Sequence, residues 1–296
     1  MVHNPVLKKE VIEVLNPKSN ENFIDSTAGE GGHSILILEK NKPNGRVLAI
    51  DWDLKQIENI KFKIKEDSDL SKRLILANGS YLNLREIAEN NGFRDADGVL
   101  FDLGMSSWHL EKSGRGFSFL KDEPLDMRFD PNNDLTAEKI INRYPIKEIE
   151  RILKEYGEER LYKRIAEGIC RNREIKSVKT TFELVGIIRR AVPLRYQNKR
   201  INPATRTFQA LRIAVNDELN NLKEALYGAV DILKPKGRLV VISFHSLEDR
   251  IVKNFLKELD NKKIKILIKK PITPDKEEIK INRRSRSAKL RAAVKI

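Results

Sequence analysis

The sequence predicts an α/β fold, a largely parallel sheet interrupted by a basic helical insertion. Three observations carry this. Four short apolar segments alternate with helical patterns in the first hundred residues. The alternation stops near Trp108 and returns with the apolar run that ends in "SFHSLEDR" (243–250). Between those points the apolar residues recur at helical spacing amid a large excess of positive charge.

The first strand is read in "NFIDSTAG" (22–29), the second in "GRVLAIDWD" (45–53), the third in "RLILANGS" (73–80) and the fourth in "DADGVLFDLG" (95–104). Each is a buried run closed by a polar turn, and the segments between them have polar faces and helix-like spacing. "SGRGFSF" and "LDMRFDPNNDL" then read as an extended loop. "TAEKIINRY", "IKEIERILKEYG" and "EERLYKRIAEGICRNR" read as helices, with Ile149/Leu153 and Leu161/Ile165/Ile169 at spacings of four. Asn202-Pro203 supplies a start signal. Behind it one long helix is expected, with Leu211, Val215, Leu219, Leu222, Leu226, Val230 and Leu233 on one stripe and "KPKGR" closing it. "LVVISFHS" resumes the sheet, and "KIKILIKK" (263–270) and "SAKLRAAVKI" (287–296) supply late strands. The expected division is residues 1–106 with 206–296 for the sheet domain, and 107–205 for the insertion.

Composition narrows the function. The chain has 57 basic and 43 acidic residues, a formal charge of +14. Between Arg160 and Arg212 stand 14 Lys/Arg against Glu167, Glu174 and Glu183, and "NRRSRSAKLRAAVK" near the C-terminus has no acid. Such clustering points to a nucleic-acid partner. The single cysteine, Cys170, excludes an intrachain disulfide and suits a reducing compartment. With no signal-peptide pattern and no apolar run of membrane-spanning length, a cytoplasmic protein with no membrane partner is expected.

"DSTAGEGGHS" places Gly29, Gly31 and Gly32 between a strand and a helix, where glycines let a ligand approach the backbone. Asp51, 22 residues after Gly29, sits where nucleotide-binding folds place a ribose-binding acid. The dinucleotide fingerprint fails at Ser34, and no P-loop follows. Asp25, ahead of the glycines, suits a cationic ligand better than a pyrophosphate. S-adenosylmethionine, a nicotinamide dinucleotide and a merely structural turn all stay open on these residues. Cys170 lies in a helical pattern, so a cysteine nucleophile of the kind needed for cytosine C5 methylation is not expected. Neither a zinc set nor a G-x-S-x-G elbow is present. A substrate amine or hydroxyl attacking the methyl group directly would need alignment and a proton acceptor. Asp102 in "LFDLG" and His245 are placed for that role. His33, His109 and His245 each follow a predicted strand, with capping as the plain alternative.

"HNPVLKKEVIEVL", "DSTAGEGGHS", "FDLGMSS", "RGFSF", "LDMRFD", "TRTFQALRIAVNDEL", "SFHSLEDRIVK" and "NRRSRSAKLR" together resemble the RsmH/MraW family of small-subunit ribosomal RNA cytosine N4-methyltransferases. The resemblance implies a Rossmann-like class I methyltransferase sheet with an inserted all-helical domain, S-adenosylmethionine as cofactor, and a decoding-centre cytosine of 16S rRNA in the small ribosomal subunit as substrate. It implies cofactor contacts at Gly31, Gly32, His33, Asp51, Tyr81, Asp102 and His109, with Asp25 and Gly29 added from the turn itself. At His109 the family usually has glutamine, and Glu30 is an unusual addition to the turn. Asp102 and His245 are the candidates beside the target amine. Trp108, Phe117 and Phe119 are candidates to stack an unstacked base. Arg115, Arg206, Ser246, Arg284 and Arg286 are candidates to hold the RNA. Homodimerisation is left open, and a nicotinamide-dependent oxidoreductase or a non-catalytic RNA-binding assembly factor are the rival readings.

Overall fold

The computed structural model of the chain describes residues 5–197 and 202–296. Two compact units are present, residues 1–105 with 219–296, and residues 106–218. His3 and the "NKRI" stretch, both within segments weighed above, lie outside the described residues.

The first unit is built on strands β1 (Phe23–Asp25), β2 (Val47–Asp51), β3 (Leu74–Asn78), β4 (Ala96–Asp102), β5 (Leu233–Ser243), β6 (Ile264–Ile266) and β7 (Lys289–Lys295). Their order across the sheet is β3-β2-β1-β4-β5-β7-β6. Strands β1 to β5 pair in parallel, and β7 runs antiparallel between β5 and β6. This is the class I methyltransferase sheet that the motifs imply. Helix α1 (Lys8–Leu15) precedes β1, and α2 (Gly32–Lys40), α3 (Leu54–Ile64), α4 (Ser68–Arg73) and α5 (Leu84–Asn90) connect the early strands. Strand residues alternate between two cores, as side chains of period two must. Leu48, Ile50, Val99 and Phe101 face one core, while Val47, Ala49 and Leu100 face the other.

The second unit holds α6 (Ser107–Glu111), α7 (Ala137–Arg143), α8 (Ile146–Glu155), α9 (Tyr162–Ile175), α10 (Thr181–Ala191), α11 (Leu194–Gln197) and α12 (Ala204–Asn216). Ile140, Ile149, Leu153, Ile165, Ile169, Leu184, Ile188 and Leu211 are buried within it. The extended loop expected after α6 is present and is stapled to α12. Asn216 donates to Met127 O at 2.8 Å and accepts from Phe129 N at 2.9 Å, while Arg128 grips Asp126 at 2.7 and 2.8 Å.

Helices α13 (Glu218–Ile232), α14 (Ser246–Leu259) and α15 (Lys276–Ile281) complete the chain. The single long helix expected behind Asn202-Pro203 is instead two, α12 and α13. Asp217 between them adopts the left-handed conformation, φ 48° and ψ 39°, which aspartate tolerates better than most residues. The apolar spacing runs on through this break, so periodicity alone could not reveal it. Residues 206–218, assigned on sequence to the sheet domain, group with the helical unit because α12 packs on α7, α8 and α10. Helix α13 ends at Ile232, just ahead of "KPKG" as expected, but these residues lie within β5. Leu233 already pairs with Ala96 and Arg238 with Gly98, so these four residues bulge out of β5, Lys236 at φ 69°. No helix of the described residues is long and apolar enough to cross a membrane.

Candidate active site

Asp25, Asp51 and Asp102 end β1, β2 and β4, the carboxyl edge where α/β sheets bind ligands. The turn after β1 is stitched to both neighbouring strands. Ser26 donates through its N–H and its hydroxyl to Leu100 O (2.9 and 2.6 Å), and Ala28 N–H donates to Ile50 O (2.8 Å). Gly31 has φ +82°, and a Cβ there would stand 3.2 Å from Ile60 of α3; a Cβ on Gly32 would stand 2.5 Å from Pro5. Side chains at these two positions would collide with the packing around the turn, which leads directly into α2. Asp51 shapes it as well, accepting from Gly29 N–H at 2.7 Å and from Asp53 N–H at 2.9 Å on its two oxygens. Glu30 turns to Lys63, whose Nζ is 3.4 Å from its carboxylate.

Asp25 corrects the expectation of a direct contact. It is 1% exposed and accepts from Ser34 Oγ at 2.7 Å and Thr27 N–H at 3.3 Å. Ser34 thus has a use where the dinucleotide fingerprint would have glycine. Burial pushes the Asp25 carboxyl up to about 6 against these hydrogen bonds, with the Asp51 charge adding to the rise. Asp102 is more strongly perturbed. Its N–H donates to Thr27 Oγ1 at 2.6 Å, and its Oδ2 lies 3.7 Å from Nε2 of the buried His33. Its Oδ1 is shut off from solvent and has no hydrogen-bond partner among the described residues. Burial first, then the charges of Asp25 and Glu248, push its carboxyl up to about 8. Acids that repel one another at a buried strand edge favour a cationic ligand. Tyr81, half-buried, meets Trp52 and Phe101 edge to face, each at 6.1 Å between ring centroids, leaving an aromatic wall beside the end of β2.

"SFHSLEDR" contains the cap of α14, and the cap is His245 rather than Ser243 or Ser246. Its Nδ1 accepts from Glu248 N–H at 3.4 Å, while Glu248 Oε2 returns to Phe244 N–H (2.8 Å) and His245 N–H (3.2 Å). This is a capping box with histidine in the serine position. Accepting at Nδ1 puts the proton of the neutral ring on Nε2, 3.1 Å from Glu248 Oε1. With Nδ1 committed to the cap, the geometry gives His245 a place in the helix start, and Asp102 is the stronger candidate for the proton acceptor. His245→Ala is expected to cost about 0.5–2 kcal/mol of stability in denaturant melts, and His245→Asn to restore most of it. Asp249 in the next turn is held by Arg291 Nε (2.7 Å) and Lys289 Nζ (3.1 Å) of β7. Ser246 is exposed, as are Arg284 and Arg286 on the short 3-10 turn Arg283–Ser287.

In the helical unit, His109 and Phe117 are core residues. His109 is 4% and Phe117 5% exposed. Nδ1 of His109 pairs with Ser106 Oγ at 2.8 Å, and its ring abuts Trp108, Phe117 and Phe129 at 5.0–5.4 Å. Phe117 stacks on Phe129 and so is not available to a base, contrary to expectation. Phe119 packs edge-on against Phe208. Trp108 stays half-exposed, with the Arg115 guanidinium 5.5 Å over its ring, and Arg115 also donates to the carbonyls of Arg128 and Phe129. Arg206 donates to Glu158 O at 2.7 Å. Of the residues proposed to stack a base, Trp108 and Phe119 are partly exposed and Phe117 is buried.

A family model described as the MraW methylase family matches residues 1–296. The chain belongs to the MraW methylase family. Among relatives of this family, the ribosomal RNA small subunit methyltransferase H of Heliobacterium mobile is 45% identical, aligning 99% of both chains. That of Thermosipho melanesiensis is 48% identical over 99% of this chain and 98% of its own. The crystal structure of a candidate rRNA-methylase from Clostridium thermocellum matches with a TM-score of 0.50 at 16% identity, covering all of both chains, and shares the fold. Within the MraW methylase frame, Thr27 and the tie of Ser34 to Asp25 are what sequence reading missed. Only the failed fingerprint at Ser34 hinted at any of them.

Proposed function

We propose that the chain transfers a methyl group from S-adenosylmethionine to the exocyclic N4 of a decoding-centre cytosine in 16S rRNA of the small subunit. The observation that carries this is the acid cluster on the sheet edge, above all the buried, unpartnered Oδ1 of Asp102 facing the charges of Asp25 and Glu248. When bound, S-adenosylmethionine supplies an electrophilic methyl on a sulfonium, a cation that such a cluster favours. A dinucleotide would instead bring two phosphate charges to the same acids. Gly29, Gly31 and Gly32 form the turn in this reading, Asp51 at the end of β2 is the acid placed toward ribose hydroxyls, and Tyr81 stands beside Trp52 as the aromatic residue placed toward adenine. Asp102 holds the site's proton-accepting oxygen, with Nε2 of His33 3.7 Å from its other oxygen.

The helical unit and the C-terminal turn take the RNA backbone in this reading. Its measurable consequence is salt dependence. Arg284→Ala and Arg286→Ala are each expected to flatten the slope of log affinity against log salt by about 0.7–0.9, the share of one phosphate that the arginine no longer neutralises. Filter-binding of small-subunit RNA across a salt series reads this out. Unchanged slopes would take both arginines off the RNA. The reaction itself is tested by incubating the chain with labelled S-adenosylmethionine and unmethylated small subunits, then mapping the nucleotide. Label anywhere but a cytosine N4 overturns the proposed position, and no label overturns the activity.

A further inference from the structure

The segment ahead of α1 crosses the glycine turn in an unusual conformation. Leu7, the residue before α1, has φ 52° and ψ 38°, a left-handed backbone that leucine rarely adopts, and its side chain is fully buried. Its own carbonyl starts α1 by accepting from Val11 N–H at 2.8 Å. Its N–H has a partner 271 residues away, Oε1 of Glu278 on α15, at 2.8 Å. Two residues earlier the ring of Pro5 lies so close over Gly32 that a Cβ there would be 2.5 Å from Pro5 Cγ. Gly32 is the first residue of α2, between Gly31 at φ +82° and the buried His33 that reaches toward Asp102.

These contacts form one path from α15 through Leu7 and Pro5 to the turn. A strained backbone persists where its surroundings hold it, and here a carboxylate from the far end of the sequence holds the Leu7 N–H. We infer that Glu278 is a positioning residue for the cofactor turn: its carboxylate holds the Pro5–Leu7 segment down on Gly32 and keeps the turn in its binding form. Glu278 touches neither cofactor nor substrate in this arrangement. The inference rests on the proposed use of this turn for S-adenosylmethionine.

The test compares the full chain with Glu278→Ala, Glu278→Gln and Pro5→Ala. Glutamine still offers a carbonyl oxygen to Leu7 N–H, so it restores the hold, whereas alanine removes it. If the turn then spends only a fifth to a tenth of its time in the binding form, apparent affinity falls by about 5- to 10-fold. Calorimetry is expected to give that rise in Kd for S-adenosylmethionine with Glu278→Ala, and steady-state assays the same rise in its KM with kcat at saturation within twofold of the native chain. Glu278→Gln is expected to behave as native. Pro5→Ala, which loosens the same contact with Glu278 in place, is expected to reproduce the KM rise and carries the test if Glu278→Ala does not fold. Native Kd and KM in both alanine variants would overturn the inference, as would a loss of kcat that glutamine does not rescue. A native chain that binds no S-adenosylmethionine would overturn the cofactor reading itself, a different result from equal binding by all four proteins.

Discussion

An Asp102→Asn chain is expected to methylate small-subunit RNA about 10²–10⁴-fold more slowly than the native chain at saturating S-adenosylmethionine, the contribution typical of a positioned proton acceptor. In the proposed reaction the acceptor is the exocyclic amine of cytosine, a poor nucleophile whose lone pair is shared with the ring. Attack on the methyl group leaves nitrogen with a proton to lose, and an acceptor beside it stabilises the developing positive charge. Asp102 meets the requirement in geometry, at the end of β4 with Oδ1 free of any partner among the described residues. Asparagine keeps the size and the planar shape, retains one carbonyl acceptor, and removes both charge and basicity. Single-turnover rates with pre-bound RNA separate this loss from any change in binding. A native single-turnover rate in the asparagine variant would remove Asp102 from the chemistry. His245→Asn supplies the contrast: it keeps the helix cap and is expected to stay within a few-fold of native rate.

Strand ends were the legible part of this site. Asp25, Asp51 and Asp102 each close an apolar run, so alternation of strand and helix was enough to bring them to one edge. What each acid does there was less legible, because it depends on partners set by register across the sheet. Ser34 binds Asp25 through the turn into α2, which the failed fingerprint only hinted at, and Thr27 binds the Asp102 backbone only once β1 and β4 are paired, which nothing in local sequence announces. Aromatic residues misled for a related reason. A phenylalanine in a loop can pack as core or present a face for stacking, and Phe117 packs against His109 and Phe129. The break at Asp217 was hidden because a single left-handed residue redirects a helix without disturbing its apolar stripe. "SFHSLEDR" read as a choice between cap and site, and the choice fell on the cap through a histidine, a residue seldom expected in that position.

Affinity for S-adenosylmethionine is expected to climb about tenfold per pH unit between pH 6 and 8 and to level off above, a total gain of about 100-fold. The ligand-free carboxyl of Asp102 is pushed up to about 8 by burial and by the charges of Asp25 and Glu248. Below that value it is mostly protonated, and a cation binding beside it must first drive the proton off. Above it the carboxylate is already charged and the dependence ends. Calorimetry in buffers of different ionisation enthalpy should therefore record release of about one proton per bound ligand near pH 7. Asp102→Asn should show a flat profile over the same range, apart from a residual slope near 6 from Asp25. Stability of the ligand-free chain supplies an independent reading with the opposite sign. A carboxyl whose folded value lies above its unfolded value near 4 binds more protons folded than unfolded, so its contribution to stability falls as pH rises from about 4 to 8. The asparagine variant has no such charge to bury, so its melting temperature is expected to exceed the native one at pH 8 and the gap to close toward pH 5. A gap that widens on acidification would mean that Asp102 is charged and satisfied in the free protein, and the cationic-ligand argument would lose its footing.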